Sequence, residues 1–550
     1  MDSNESSSHN RRVFLRGAGL AGLTAALGPG LLAACSSSPS SRPASSASAL
    51  DFVPGGGKDV DQVNWATVNN PVSMDSTLEW DFDSNSLVPS ITESLLKFDA
   101  TGAPQPNLAM SYKYSSLTSL VLQIRQGVRF HDGSLMTPAD VAFSINRTKP
   151  AVAINTSAQV QHLKSASVTG ANEVTVTFDQ HDPDYVGLLA TTLGAVHSQA
   201  YVTAKGQAYG SPSVGAMGTG PYKFVSWVAE QAVTITKNDS YWNKQVTRHV
   251  KNFTVHIIPD PTTMIYGLAN GTIDGVFSPS LTGLQVASLR NSPNLHLLQA
   301  PNYLTELLSL NVTSPPFSDR RVRQALSYAI NRPVLSQAAW GGLADGTIRS
   351  PATPASWSWA RPIFKAGYDA LPSYSYDLDK AKKLMAEAGG ANGAGGDVIY
   401  REPWQEPLAL AIQSAGNSIG LKLQPTSLPS VEYVARRVGM QYGGALLDHT
   451  GTYANPAQVM NLFRSGPTGD DVPHYNNSLV NHLYDQQQVT VNPDDRAKLV
   501  VQLETIAMED APYVLLFGPN TTLLLNKRLG GYRLNPLWTS LPYINDLSGV

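Results

Sequence analysis

Ile124-Arg125-Gln126-Gly127-Val128-Arg129-Phe130-His131-Asp132-Gly133, followed closely by Thr137-Pro138-Ala139-Asp140-Val141, carries three local instructions in succession. It grows out of Leu120-Val121-Leu122-Gln123-Ile124-Arg125, an apolar run that reads as a strand. Val128 to Phe130 alternates apolar and polar residues up to an Asp132-Gly133 turn. Thr137 then suits a helix N-cap, Pro138 the first helical position and Asp140 the third. Val141, Phe143, Ser144 and Ile145 continue that helix. Strand, turn and capped helix side by side indicate a chain that mixes the two kinds of element. His131 and Asp132 do not form a catalytic relay by themselves, because neighbours on a strand point to opposite faces. Hairpin chemistry explains them better.

Working outward, the N-terminus has the layout of a secretory signal. Arg11-Arg12-Val13-Phe14-Leu15-Arg16 is a basic region, Gly17 to Ala34 is weakly apolar, and Leu32-Ala33-Ala34-Cys35 precedes a run of serines. Arg11 and Arg12 resemble a twin-arginine export signal, and Leu-Ala-Ala-Cys resembles a bacterial lipobox, in which Cys35 would take the lipid. A retained membrane anchor is the alternative, but the Gly- and Ala-rich stretch is at the short edge of what a span needs. Cys35 is the only cysteine, so no internal disulfide and no Cys-based metal site is expected. Residues 36–50 are dominated by Ser, Pro and Ala and read as a flexible tether.

About 515 residues follow Cys35, more than one hydrophobic core supports, so two or three domains are expected. The chain is 42% hydrophobic and 15% charged, a folded composition. Without the signal it holds 36 basic and 40 acidic residues, a dispersed mild acidity that argues against a nucleic-acid surface. Ser318 to Ala329 and Asp377 to Ala388 both show apolar residues at helical spacing. Arg320, Arg321 and Arg323 on the first of these are expected in solvated ion pairs. Gly389 to Gly396 reads as a helix stop with an exposed loop. Gly218-Thr219-Gly220 has the spacing of a turn, not of a dinucleotide site.

Catalysis finds little support. None of the eleven histidines forms a His-Glu-x-x-His pair. Gly416-Asn417-Ser418-Ile419-Gly420 matches a nucleophile elbow in letters, yet it lies between a helix at Leu408–Ser414 and a strand at 421–423, the reverse of the order an elbow needs. Scattered Ser, His and Asp residues can still converge in space, so an enzyme is unsupported rather than disproved. No catalytic residue, metal site or cofactor is assigned.

The same segments, in order, resemble the family 5 extracellular solute-binding proteins of bacterial ABC importers. The resemblance runs from Ser73-Met74-Asp75 and Glu93-Ser94-Leu95-Leu96 through the 124–141 signature to Gly218-Thr219-Gly220-Pro221-Tyr222, Tyr241-Trp242, Asn270 to Asp274, Pro316 to Ala325 and Ala329 to Arg332. It implies an α/β, two-lobed periplasmic-binding-protein-like fold of class II with a small extra domain, closing by a hinge. Lobe I would comprise 51–95, 212–312 and 512–550, the inserted domain 96–211 and lobe II 313–511. It further implies a monomeric, extracytoplasmic lipoprotein that hands a peptide or other small polar ligand to an ABC permease. A secreted hydrolase and an envelope receptor are the alternatives.

A cleft between lobes needs aromatic walls and a few polar anchors. Tyr303, Trp340, Trp357, Trp404 and Tyr453 are candidate walls, and Asn70, Asn311, Asp448 and His449 candidate anchors. Trp404 leads, being in the polar loop Tyr400 to Glu406 after a strand. The chain departs from the family at one place. The aspartate that meets a peptide's amino terminus, four residues before a proline, is Thr452 in Asp448-His449-Thr450-Gly451-Thr452-Tyr453-Ala454-Asn455-Pro456. Either Asp448 takes over, or the ligand has no N-terminal ammonium.

Overall fold

Thr137 caps the helix Pro138–Arg147 in a reciprocal box: the Asp140 amide donates to its hydroxyl, and Asp140 Oδ2 accepts from the Thr137 amide at 2.9 Å. Ahead of it, the strand Ser119–Ile124 belongs to an antiparallel sheet ordered Ala109–Ser116, Ser119–Ile124, Glu173–Phe178, Leu163–Gly170. Leu120, Leu122 and Ile124 point to one side and meet Val141 and Ile145 of the helix in a single core. Asp132 accepts from the Ser134 amide, while His131 donates through Nε2 to the Gly220 carbonyl at 3.0 Å. Burial pushes the His131 pKa down to about 4. The two residues lie in the turn that Gly133 closes on Phe130, not on an extended strand, and they serve different partners.

This computed structural model describes residues 51–78, 81–149, 159–278, 280–390, 393–466 and 473–550. Arg11, Arg12, Cys35 and the tether lie outside the described residues. Among those described, no helix is long and apolar enough to cross a membrane.

Two larger sheets carry the rest. The first runs Leu295–Ala300, Thr521–Asn526, Gly275–Phe277, Val60–Thr67, Val250–Ile257, Ala232–Lys237, Tyr222–Val228. The second runs Ala344–Asp345, Tyr513–Pro519, Thr305–Leu310, Gly444–His449, Gly395–Tyr400, Lys422–Ser427. Each mixes parallel and antiparallel pairs, and each has its own apolar core faces. The C-terminal segment returns to the first lobe, where Trp538 stacks on Phe277 at 4.1 Å.

The sheets correct the expected lobe boundaries. Thr305–Leu310 and Tyr513–Pro519 pair inside the second sheet, so the chain crosses at 301–304 and again at Asn520, not at 312 and 512. Both strands are buried along their whole length, although Thr305–Leu310 carries Thr305, Glu306 and Ser309, and a place inside the sheet with both faces covered buries them so.

The inserted domain leaves the first lobe near Ile91 and returns near Gly220, where the two crossing segments touch. A Cβ on Gly218 or Gly220 would lie about 2.5 Å from the Ile91 carbonyl oxygen, which is why that turn is glycine-rich.

The helix Arg320–Ala329 starts at Asp319, and Leu378–Glu387 at Asp377. Arg320 and Arg321 make exposed ion pairs, but Arg323 is buried and donates to the carbonyls of Phe317 and Asp510 at 2.8 and 2.9 Å. The last carbonyls of the helix Pro493–Asp510 have no intrahelical donor, and a guanidinium supplies one. Glu406–Ser418 is a helix running into the strand Lys422–Ser427 through Gly420 at φ +87°, so the Gly-x-Ser-x-Gly stretch is a helix stop.

Candidate ligand-binding cleft

Both crossings leave from the same edge of each sheet, so these two edges face each other across the hinge. On the first lobe the edge is formed by the ends of Val60–Thr67, Val250–Ile257, Gly275–Phe277 and Leu295–Ala300. On the second it is formed by Thr305, Tyr400, Ser427, His449 and Pro519. In open α/β sheets ligands bind outside the carboxyl ends of the parallel strands, which here are Gly395–Tyr400, Lys422–Ser427 and Gly444–His449.

At that edge Glu306 sits directly opposite Asp448 on one side and Phe517 on the other. A register shift between Glu306 and Leu307 interrupts the pairing with Tyr513–Pro519 just there; such bulges re-aim side chains near sites. By alternation Glu306 shares a face with Leu308 and Leu310, and Asp448 with Leu446. Trp340 lies on this face, its ring 5.8 Å from Phe517 and 5.0 Å from the edge-on ring of Trp404. It also reaches the first lobe: a Cβ on Gly283 would come within 2.5 Å of its indole. Glu306 is 2% exposed, whereas Asp448 is exposed. Burial, and the Asp448 charge beside it, push the Glu306 pKa well above the usual carboxylate range.

The structure therefore brings Trp404, Trp340 and Asp448 to one face and adds Glu306, which sequence reasoning missed. Its signal was a lone acid inside Leu304-Thr305-Glu306-Leu307-Leu308.

The other expected site residues lie elsewhere. Asn311 follows the far end of Thr305–Leu310; its amide donates to the Met440 and Tyr442 carbonyls, and it lines a hollow of about 320 Å³ with Asp397 and Arg436. Asn70 is spent on the hairpin between Tyr222–Val228 and Ala232–Lys237, accepting from the Trp227 indole and the Glu230 amide at 3.1 Å each. Trp357 is buried, its indole on the Ala352 carbonyl and its ring on Tyr368.

Tyr303 and Tyr453 are buried in the core of the inserted domain, not on an open wall. Tyr453 stacks on Phe98 at 5.7 Å and donates to the Asp184 carbonyl at 3.1 Å. Beside it Asn455 and Arg496 both donate to Asp184 Oδ1, at 2.7 and 2.8 Å. The loop expected to carry a ligand anchor thus ties the second lobe to the inserted domain. Thr452 uses its amide on Gln458.

Two further buried acids have structural surroundings. Glu93 accepts from the Thr219 hydroxyl, the Tyr241 hydroxyl and the Trp242 indole at 2.7–2.8 Å. Among the described residues Glu504 accepts from Ser350 alone, and burial pushes its pKa up to about 7. No group of three or more potential metal ligands occurs among the described residues.

Comparison with known proteins places this geometry. Residues 103–471 match the family described as bacterial extracellular solute-binding proteins, family 5 Middle. The chain is 26% identical over 464 residues to heme-binding protein A of Haemophilus influenzae, covering 78% of this chain and 82% of that one. It is 26% identical over 484 residues to the glutathione-binding protein GsiB of Escherichia coli, covering 86% and 90%. Among solved structures, DppA of Helicobacter pylori with the peptide STSA superposes with a TM-score of 0.73 at 22% identity, covering 90% of this chain and 99% of that one. NikZ of Campylobacter jejuni with Ni(L-His) gives 0.72 at 20%, covering 89% and 99%. These structural likenesses establish the two-lobed fold.

Proposed function

The chain belongs to family 5 of the bacterial extracellular solute-binding proteins, and from that premise we propose a lipid-anchored, monomeric receptor that captures a peptide-like or other small polar solute for its ABC permease. The relatives are binding proteins, in line with the absence of a catalytic assignment. One observation carries the reading of the cleft: the second sheet's facing edge holds a half-buried ring, Trp404, and an exposed acid, Asp448, the mixture of apolar wall and polar anchor that small-molecule sites use. The relatives' names span heme, glutathione, a peptide and a nickel chelate, so the ligand has to be read from this chain's own residues. Thr452, where peptide binders of the family place an aspartate, removes the usual partner of a peptide amino terminus.

Mass spectrometry of what co-purifies, and recovery of unchanged ligand from a labelled peptide mixture, tests the receptor reading; cleaved peptides would indicate a hydrolase instead. Deletion of the gene should abolish uptake of the recovered solute, and intact uptake would leave a sensing receptor. Replacing Arg11 and Arg12 with Lys should strand the precursor in the cytoplasm, since an export receptor reads the arginine pair itself. Cys35→Ser should abolish acyl labelling, and persistent labelling would reject the lipobox. Ligand contacts from both lobes exist together only in a closed form, so saturation should shrink the radius of gyration in small-angle scattering. An unchanged radius with ligand bound would count against hinge closure.

A further inference from the structure

We propose that Glu306 and Asp448, paired across two strands at the cleft edge and walled by Phe517, Trp340 and Trp404, bind a positively charged nitrogen of the ligand, an ammonium or a guanidinium. The inference rests on the solute-binding reading and names the ligand class that reading left open.

Oxygen accounting leads to it. Glu306 is almost fully withdrawn from water, and its Oε2 has no hydrogen-bond partner among the described residues. A buried carboxylate is normally satisfied by donors, as Glu93 is by three. Around Glu306 the nearest polar side chain across the strand is another acid, Asp448, which repels instead of compensating. An arrangement that costs stability in the empty protein is what a cationic ligand relieves: its N–H groups supply the missing donors and its charge cancels the repulsion.

The walls agree with that charge. Phe517, Trp340 and Trp404 form a continuous run of rings leading away from Glu306, and aromatic faces attract organic cations. They give no ligand to a metal ion, which two carboxylates alone would hold poorly. Asp448 is exposed while Glu306 is buried, so the nitrogen enters past Asp448 and ends on Glu306. A peptide amino terminus, a basic side chain or a non-peptide amine all carry this chemistry.

Calorimetric titration with three pairs of probes, each a cation and its neutral counterpart, separates these sources. The pairs are trialanine against N-acetyl-trialanine, N-acetyl-arginine amide against N-acetyl-citrulline amide, and butylguanidinium against butylurea. At least one cation should bind ten-fold or more tightly than its counterpart, and the pair that does so identifies the source. Glu306→Gln and Asp448→Asn should each reduce that preference at least ten-fold, with the melting temperature of Glu306→Gln not lowered. Asp448→Asn alters an exposed side chain, so it decides the matter even if the Gln variant folds poorly. Equal binding of cation and counterpart, a preference that survives both substitutions, preference for calcium over every nitrogen probe, or no cation bound at millimolar concentration overturns the proposal. Binding of neutral solutes alone would remove the cation site and leave solute capture standing; a protein that retains nothing from a mixed solute pool would lose both.

Discussion

Glu93, where the chain enters the inserted domain, and Glu306, on the strand that enters the second lobe, are 5% and 2% exposed, yet their oxygens are treated in opposite ways. Glu93 receives a threonine hydroxyl, a tyrosine hydroxyl and a tryptophan N–H, all from the segment that returns out of the inserted domain. Glu306 faces an acid and a phenylalanine. Glu504, with one serine donor, stands between them. Burial raises the pKa of all three, so burial does not distinguish a structural carboxylate from a functional one. The count of donors does: Glu93 pins two crossing segments together, and Glu306 is left for something that arrives from solution.

The most severe way to break this comparison is at Glu93. Glu93→Leu strands three buried donors and should cost about 3–5 kcal/mol in urea unfolding, at 1–3 kcal/mol per orphaned group with partial relaxation. A midpoint like the wild type's would show that the donors matter little. Glu504→Gln sharpens the middle of the series. With a folded pKa of about 7 against 4.5 unfolded, folding takes up a proton between those values. The contribution of protonated Glu504 is therefore fully present below pH 4.5 and lost as pH rises through 7. The Gln variant should match the wild type near pH 4 and exceed it by roughly 3 kcal/mol at pH 8. A pH-independent difference would contradict a buried titrating acid.

Smaller effects concern the cleft itself. Trp404→Ala should weaken ligand binding by about 2 kcal/mol, as loss of an aromatic anchor does, while the melting temperature changes little because the ring is only half-buried. Equal affinity would place Trp404 among the packing residues of its lobe. Glu306→Gln, which removes an uncompensated acid, should stabilise the ligand-free protein by about 1 kcal/mol at pH 7 and forfeit that gain when ligand is present. A clear loss of stability in the empty protein would mean that Glu306 has structural partners of its own.

Several elements were legible from neighbouring residues. Thr137, Pro138 and Asp140 announced a capped helix, Asp377 another, and the helix-then-strand order around Gly416–Gly420 disposed of a nucleophile elbow. The family-like motifs led to the two-lobed fold. The cleft was legible only in part. Trp404 and Asp448 were singled out, but nothing in Tyr303 to Asn311 says that Glu306 will lie beside residue 448. Tyr453 looked like a cleft residue from a polar loop and is instead bonded, with its neighbour Asn455, to Asp184, far earlier in the chain. Arg323 looked solvated on its helix and is buried by the end of another.

What the amino-acid sequence by itself determined is what short-range physics controls: where helices start and stop, which runs are extended, and that the acidity is mild. Cap hydrogen bonds, proline dihedrals and apolar periodicity act within a few residues. Tertiary structure alone decided which acids are compensated, where the chain crosses between lobes, and which aromatic rings reach the cleft. Those outcomes depend on strand register between segments more than a hundred residues apart, and a one-residue change of register would turn Glu306 away from Asp448 to the opposite face.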